Sequence, residues 1–372
     1  MDFQNEMPEL FDALPPAPPE PEQSPLVPLE PEQPASVPPE SEKPAPQQET
    51  VPEWYPDFER MMALPPILKQ EAETCRHRLE KRWYRRLIEI NILLILFVLI
   101  SVIANMGDYA KSAGELFQTA IELSEETDDP EEAKEQLEEQ YEDMLEDIPI
   151  EIELLIYGFM LMTVGVLSLY TMLAAVRARS VKITPRNFPE IYQLIFCFAQ
   201  RLGMEKVPDA YIMQSNGVLN AFSSFIPHRQ YIQINTEIFE VAYREHKDLN
   251  ALAFFIAHEI SHIYYGHSTM HYNLPIWFSM NVPLFSAIAS RTREYSCDRL
   301  AQRLTNYDGL EAMLMLMVDR HLYKMVDKQD YIDQTVPDGD FFLWLNNLFS
   351  THPIMPKRLR ALAMWFGSGE LY

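Results

Sequence analysis

Between Ala253 and Ser268 the chain reads AFFIAHEISHIYYGHS, an apolar run broken by three histidines and a glutamate. His258 and His262 are four residues apart. On an α-helix both imidazoles leave one face, about 6 Å apart along the axis. Two nitrogens converging there can hold one Zn²⁺. Glu259 lies beside His258, where its carboxylate can take a proton from a water next to the metal. The apolar flanks strengthen this reading, because ionisable groups in a buried helix are costly unless a metal or partner compensates them.

The spacing is the H-E-x-x-H pattern of zinc peptidases. A catalytic site needs a third protein ligand and an open position for water. His267 is poorly placed, since five residues past His262 it falls roughly 140° round an unbroken helix. The pattern H-E-x-x-H-x-x-G-x-x-H fails too, because its last two positions are Tyr265 and Ser268. A better candidate lies in SRTREYSCDRLA (Ser290 to Ala301). There Glu294 can complete the metal shell. Asp298, one helical turn on, can fix a ligand imidazole through its other ring nitrogen. The alternative for that stretch is a solvated helix face shared with Arg291, Arg293 and Arg299.

HEISH followed by EYSCD resembles the HtpX-like zinc metalloproteases, relatives of the CAAX prenyl endopeptidases. LNAFSSF (Leu219 to Phe225) resembles that family's N-A-F element. STHPIMPKRLRAL (Ser350 to Leu362) resembles its T-H-P-x-x-x-x-R element. The four occur in family order over about Val181 to Phe366. The resemblance implies a zincin-type (gluzincin) α+β catalytic domain with a small sheet beside the zinc helix. It implies His258, His262 and Glu294 as ligands of one Zn²⁺, Glu259 as general base and Asp298 behind the ligands. His352 would be the oxyanion donor, with a turn histidine beside Pro353 as the alternative. Asn220 would bind substrate backbone. Arg358 fits a structural ion-pair partner, and His267 a packing or hydrogen-bonding role.

The elements that must position these residues occupy the second half of the chain. FPEIYQLIFCFAQRLG reads as an amphipathic helix, DAYIMQS and QYIQIN as short strands flanking the N-A-F element. Further helices are expected near Ala301, over Leu310 to Val326 and over Pro356 to Phe366. A sheet edge beside the zinc helix could bind an extended substrate by strand addition.

The first half reads differently. Residues 1–60 form a Pro- and Glu-rich segment, expected as a disordered tail. Residues 61–86 are a basic juxtamembrane segment. Leu87 to Met106 and Leu154 to Val176 are apolar runs long enough to span a bilayer. Between them, residues 107–153 carry 18 acids against 2 bases. Ala133, Leu137, Tyr141, Met144 and Ile148 mark a helical stripe there, opened by Asp129-Pro130. That suggests an acidic helical hairpin, with continuation of the apolar helices as the alternative. Bases cluster before the first run and after the second, which places both termini and the catalytic domain (177–372) in the cytoplasm by the positive-inside bias. A third apolar stretch, Pro275 to Ser290, is short for a span, and a single crossing would carry Glu294 to the opposite side from His258. It is expected as a bent hairpin that dips into the membrane surface or covers the site.

The fold class is therefore a mainly α membrane protein with two transmembrane helices and a zinc peptidase domain. The formal charge of −25 resides in the tail and the acidic segment. That acidity argues against nucleic-acid binding, which wants basic clusters. The three cysteines lie on the inferred cytoplasmic side and are expected as free thiols. The function expected is a zinc endopeptidase of the plasma (inner) membrane that acts on proteins or peptides, including membrane proteins, in quality control or processing. A scaffold with structural zinc, recruiting partners through its tail and acidic loop, is the rival from another class. A soluble zinc hydrolase with a helical-hairpin extension is a second rival.

Overall fold

The computed structural model describes residues 55–126 and 150–364, apart from 216, 218–219, 227–228, 242–246 and 334–340. The described chain opens with helices α1 (Tyr55–Met62), α2 (Lys69–Thr74), α3 (Glu80–Glu126) and α4 (Ile150–Arg179), then strand β1 (Ser180–Lys182). Next come α5 (Pro189–Arg201), β2 (Asp209–Met213), β3 (Ala221–Ile226), β4 (Arg229–Asn235) and α6 (Thr236–Glu240). The remainder is helical: α7 (Leu249–Tyr264), α8 (Met270–Asn273), α9 (Pro283–Thr305), α10 (Leu310–Val318), α11 (Lys328–Asp333), α12 (Phe341–Phe349) and α13 (Met355–Ala363).

The core is built around α7. Its sequence is apolar on every side, which suits only a helix surrounded by protein, and nearly all of it is buried. Asp248 caps its start by accepting from the Ala251 amide at 3.1 Å. Ile191, Leu194, Ile195 and Phe198 of α5 form one apolar stripe against it, and Leu300, Ala301 and Leu304 of α9 close another side. Phe58 and Met61 of α1 and Ile67, Ala72 and Cys75 enter the same core. Helix α1 thus lies inside the segment expected as a tail (1–60), whose residues 1–54 lie outside the described residues. The basic stretch 61–86 is more than a strip beside a membrane, because it packs onto the domain assigned to 177–372. A single i, i+3 apolar pair in α1 is too short to register as periodicity behind a proline-rich run.

The sheet has the order β1-β2-β4-β3. β2 and β4 are parallel, and both flanking pairs are antiparallel. The N-A-F element, expected between strands, is itself the edge strand β3 and packs beside α7. β4 alternates its partners with the period of two that a pleated strand imposes. Ile232 and Ile234 face the main core, whereas Tyr231 joins Tyr211 against Leu173 and Val176 of α4.

α3 and α4 are long and apolar enough to cross a membrane. Their apolar side chains lie open: Phe97 is 64% exposed and Leu167 62%. α3 runs unbroken to Glu126, so the first part of the acidic segment continues the apolar helix and is no separate hairpin helix. Asp129-Pro130 and the stripe from Ala133 to Ile148 lie outside the described residues.

The third apolar stretch, 275–290, is not one hairpin. Its first half consists of short 3-10 turns, and Pro283 opens the 23-residue helix α9 that goes on to carry Glu294 and Asp298. Proline at the first helical position initiates a helix and does not bend one. The turns wedge between the apolar helices. Asn91 of α3 accepts from the amides of Phe278 and Ser279, each at 3.1 Å. On α4, Gly158 and Gly165 leave room for the rings of Phe278 and Trp277. The helix expected over Leu310 to Val326 stops at Val318, where Asp319 takes φ +86°.

Candidate metal centre

α7 and α9 lie against each other, and each presents a four-residue pair to the other. His258 and His262 lie on one face of α7, with their Nε2 atoms 3.2 Å apart. Glu294 meets both: Oε2 is 3.5 Å from His258 Nε2, and Oε1 is 3.4 Å from His262 Nε2. Ligands held about 2.0–2.1 Å from a tetrahedral centre stand about 3.3 Å from one another. Two imidazole nitrogens and a carboxylate at this mutual spacing fit a zinc ion. All three residues are shielded from solvent apart from part of His262.

Behind His258 stands Asp298, its Oδ1 2.9 Å from Nδ1. Arg358 of α13 grips that carboxylate at both oxygens and places Nη1 3.5 Å from Glu294 Oε2. Burial works against ionising Asp298, yet the Arg358 guanidinium and His258 hold its carboxyl below the usual range. For Glu294 burial is likewise opposed, and the two histidines and Arg358 hold it well below. In turn these carboxylates, outweighing burial, raise the His258 imidazole to about 10. A metal ion entering here displaces that proton, the usual coupling of metal binding to proton release.

Glu259 is buried next to His258, and among the described residues its carboxylate accepts no hydrogen bond. His352 reaches the cluster from the open side. Its side chain is 64% exposed and its Nε2 is 3.9 Å from Glu294 Oε1. Asn220 sits exposed just before β3. Its backbone carbonyl accepts from the Asn235 amide at 3.0 Å, and among the described residues its side chain makes no polar contact.

The charged stretch around Glu294 is no solvated face. Arg293 and Arg299 are buried, with Arg299 donating to the Cys75 carbonyl at 2.9 Å and Arg293 over the Tyr272 ring. Arg291 donates to the carbonyls that end α12.

His267 stands elsewhere than an unbroken helix would put it. α7 ends at Tyr264, Gly266 takes φ +82°, and the chain folds back. His267 Nδ1 then lies 3.1 Å from His262 Nδ1, on the far side of that ring from Glu294. Cys297 Sγ is 3.7 Å from the same His267 atom. His262, His267 and Cys297 thus form a second cluster of possible ligand atoms. Its chemistry is less suited to a metal. Burial holds the Cys297 thiol well above its ordinary pKa, and a metal requires the thiolate. His267 does not count against it, because burial lowers that imidazole to about 4 and keeps the ring neutral, the form that ligates.

Sequence reasoning missed Glu80 at the start of α3, whose Oε1 lies 3.1 Å from His267 Nε2. The available signal was a lone acid inside a basic run, one helical turn after Arg76. Beside the edge strand, Ser223, Ser224, Ser268, Leu169, Trp277 and Met280 line a cavity of about 360 Å³.

The pattern of Peptidase family M48 matches residues 185–281 and 270–366, a span that contains His258, Glu259, His262, Glu294, Asp298 and Arg358. No curated protein and no solved structure matches the chain.

Proposed function

We propose that the chain, whose residues 185–366 match Peptidase family M48, is a membrane-embedded zinc endopeptidase. The observation that carries this reading is the convergence of His258 Nε2, His262 Nε2 and the Glu294 carboxylate beside a Glu259 that has no hydrogen-bonding partner among the described residues. These three ligands would hold Zn²⁺, which when bound supplies Lewis-acid polarisation of the scissile carbonyl.

The chain's own residues do the rest. Glu259 takes a proton from the attacking water as its oxygen bonds to the carbonyl carbon. It then delivers that proton to the amine nitrogen as the C–N bond breaks. His352, on the open side, donates to the oxyanion. Asp298 and Arg358 keep His258 oriented. An extended substrate adds to the free edge of β3, with Asn220 at its entry. The cavity beside that edge, lined by Leu169, Trp277 and Met280 together with three serines, has room for a substrate side chain.

α3 and α4 cross the bilayer in this reading. Arg82, Arg85 and Arg86 precede the first apolar run, and Arg177 and Arg179 end the second. These flanks support a catalytic domain on the cytoplasmic side, in this reading at the plasma (inner) membrane. Membrane proteins and exposed cytoplasmic segments are then the substrates within reach, for quality control or processing. The test uses the full chain in detergent with an unfolded fluorescent protein as substrate. Cleavage should stop on chelation and return with stoichiometric zinc. Equal cleavage with and without chelator would sink the reading.

A further inference from the structure

We infer that Glu80 and His267 are positioning residues for the metal centre, linked in one hydrogen-bonded chain that orients the ligand His262 from behind. This inference rests on the assignment of His258, His262 and Glu294 as the metal ligands.

The contacts form an unbroken series. His262 Nδ1 is 3.1 Å from His267 Nδ1, and His267 Nε2 is 3.1 Å from Glu80 Oε1. Arg76 Nη1 donates to the same Glu80 oxygen at 2.6 Å. Ser296 Oγ donates to Glu80 Oε2, and Ser296 itself accepts from the His77 amide. Glu80 and His267 are both buried. Glu80 is thus an ion placed out of water and held from three sides, an arrangement whose cost only specific partners offset.

The proton positions follow from the ligand assignment. If His262 presents Nε2 to a metal, its Nδ1 carries hydrogen and must donate. His267 Nδ1 is the atom placed to accept. A neutral His267 then carries its hydrogen on Nε2, which donates to Glu80. Along this series each donor meets an acceptor, and the Cys297 thiol is a more distant neighbour of His267 Nδ1, at 3.7 Å. A ligand histidine ordinarily donates its second nitrogen directly to a carboxylate or carbonyl. His258 places its Nδ1 2.9 Å from Asp298 Oδ1, within direct reach of a carboxylate. His262 reaches its carboxylate through a second imidazole.

The two arrangements differ in origin. Asp298 and Arg358 lie within the matched region 185–366, whereas Glu80 lies outside it, at the first residue of α3. The helix that continues into the apolar run therefore supplies the far end of the chain that orients a ligand. The peptidase segment is incomplete without it. A displacement of the start of α3 acts on the ligand geometry with only His267 between.

The experiment compares full-length wild type, Glu80→Gln, His267→Gln and the double variant in detergent. Zinc affinity is read by competition with a chelator, ligand geometry by the absorption spectrum of the cobalt-substituted protein, and folding by melting of the metal-free protein. Each single variant should bind zinc about 10- to 100-fold more weakly, the range for groups behind metal ligands, and shift the cobalt bands. The double variant should lose little beyond the worse single one, because both break the same chain. His267→Gln alone decides the matter if Glu80→Gln does not fold. Affinities within twofold of wild type with unchanged cobalt bands overturn the inference, as does a lowered metal-free melting temperature with no other change. Losses that multiply in the double variant overturn it too. A wild type that binds no zinc would instead remove the metal assignment beneath it.

Discussion

Arg358 holds Asp298 with two hydrogen bonds, Nη2 to Oδ1 at 2.6 Å and Nε to Oδ2 at 2.8 Å, across 60 residues of sequence. Both side chains are buried. The pair fixes α13 to α9 and holds the Asp298 carboxylate in place behind His258. Truncating one member of such a buried pair leaves the other uncompensated, at about 3–5 kcal/mol. Arg358→Ala should lower stability by that amount, read as a drop in melting temperature of the metal-free protein. Arg358→Lys should fall between, since an ammonium cannot reproduce the planar two-bond grip. A wild-type melt for Arg358→Ala would show that the pair carries no stability.

Glu259→Gln should keep zinc stoichiometry and lose cleavage. The amide keeps the size but cannot take a proton, and base catalysis is worth about 10²- to 10⁴-fold. Zinc content and turnover are measured on one preparation. Turnover within twofold of wild type, zinc being equal, would remove Glu259 from the proton transfers.

Much of the ligand geometry was readable from local spacing. The i, i+4 relations of His258 with His262 and of Glu294 with Asp298 need only a helix, and both helices form. What was not readable depended on where helices stop and on long-range packing. Gly266 ends the turn after α7 and swings His267 back under His262, whereas helical extrapolation sends it away. Pro283, taken with its neighbours as a bend in an apolar hairpin, starts the helix that carries Glu294. Glu80 meets His267 across 187 residues, and no periodicity reports a contact of that kind.

Gly309 precedes α10 at φ +78°, and a Cβ there would overlap the ring of the fully buried Phe254. Gly309→Ala combines an unfavourable backbone conformation with overpacking. These together cost about 2–4 kcal/mol. Gly203→Ala, at φ +64° with open space around it, should show only the backbone part, about 1 kcal/mol. Thermal melts of both variants check the difference. Equal losses would mean that Phe254 moves aside freely.

The basic flanks of the two apolar runs predict a topology. A reporter inserted after Leu123 should be extracytoplasmic, and one fused after Tyr372 cytoplasmic. Activity of a compartment-specific enzyme reporter at both positions gives the answer. Both reporters on one side would exclude two spans.

Glu294 and His352 stand 3.9 Å apart yet should fail in different ways when removed. In the proposed site Glu294 contributes a buried carboxylate to a set of three ligands, and two imidazoles alone would hold zinc poorly. Glu294→Ala should therefore strip zinc on mild chelation, with cleavage lost in proportion. Its loss of affinity should exceed that of Asp298→Ala, which acts from behind a ligand and is worth about 10- to 100-fold. His352 lies on the solvent side, where it can donate to the charge that develops on the substrate oxygen. A donor of that kind is worth about 10²- to 10³-fold in kcat. His352→Ala should keep zinc affinity and KM near wild type and lose kcat. If His352→Ala loses zinc instead, the imidazole belongs among the ligands and the oxyanion needs another donor.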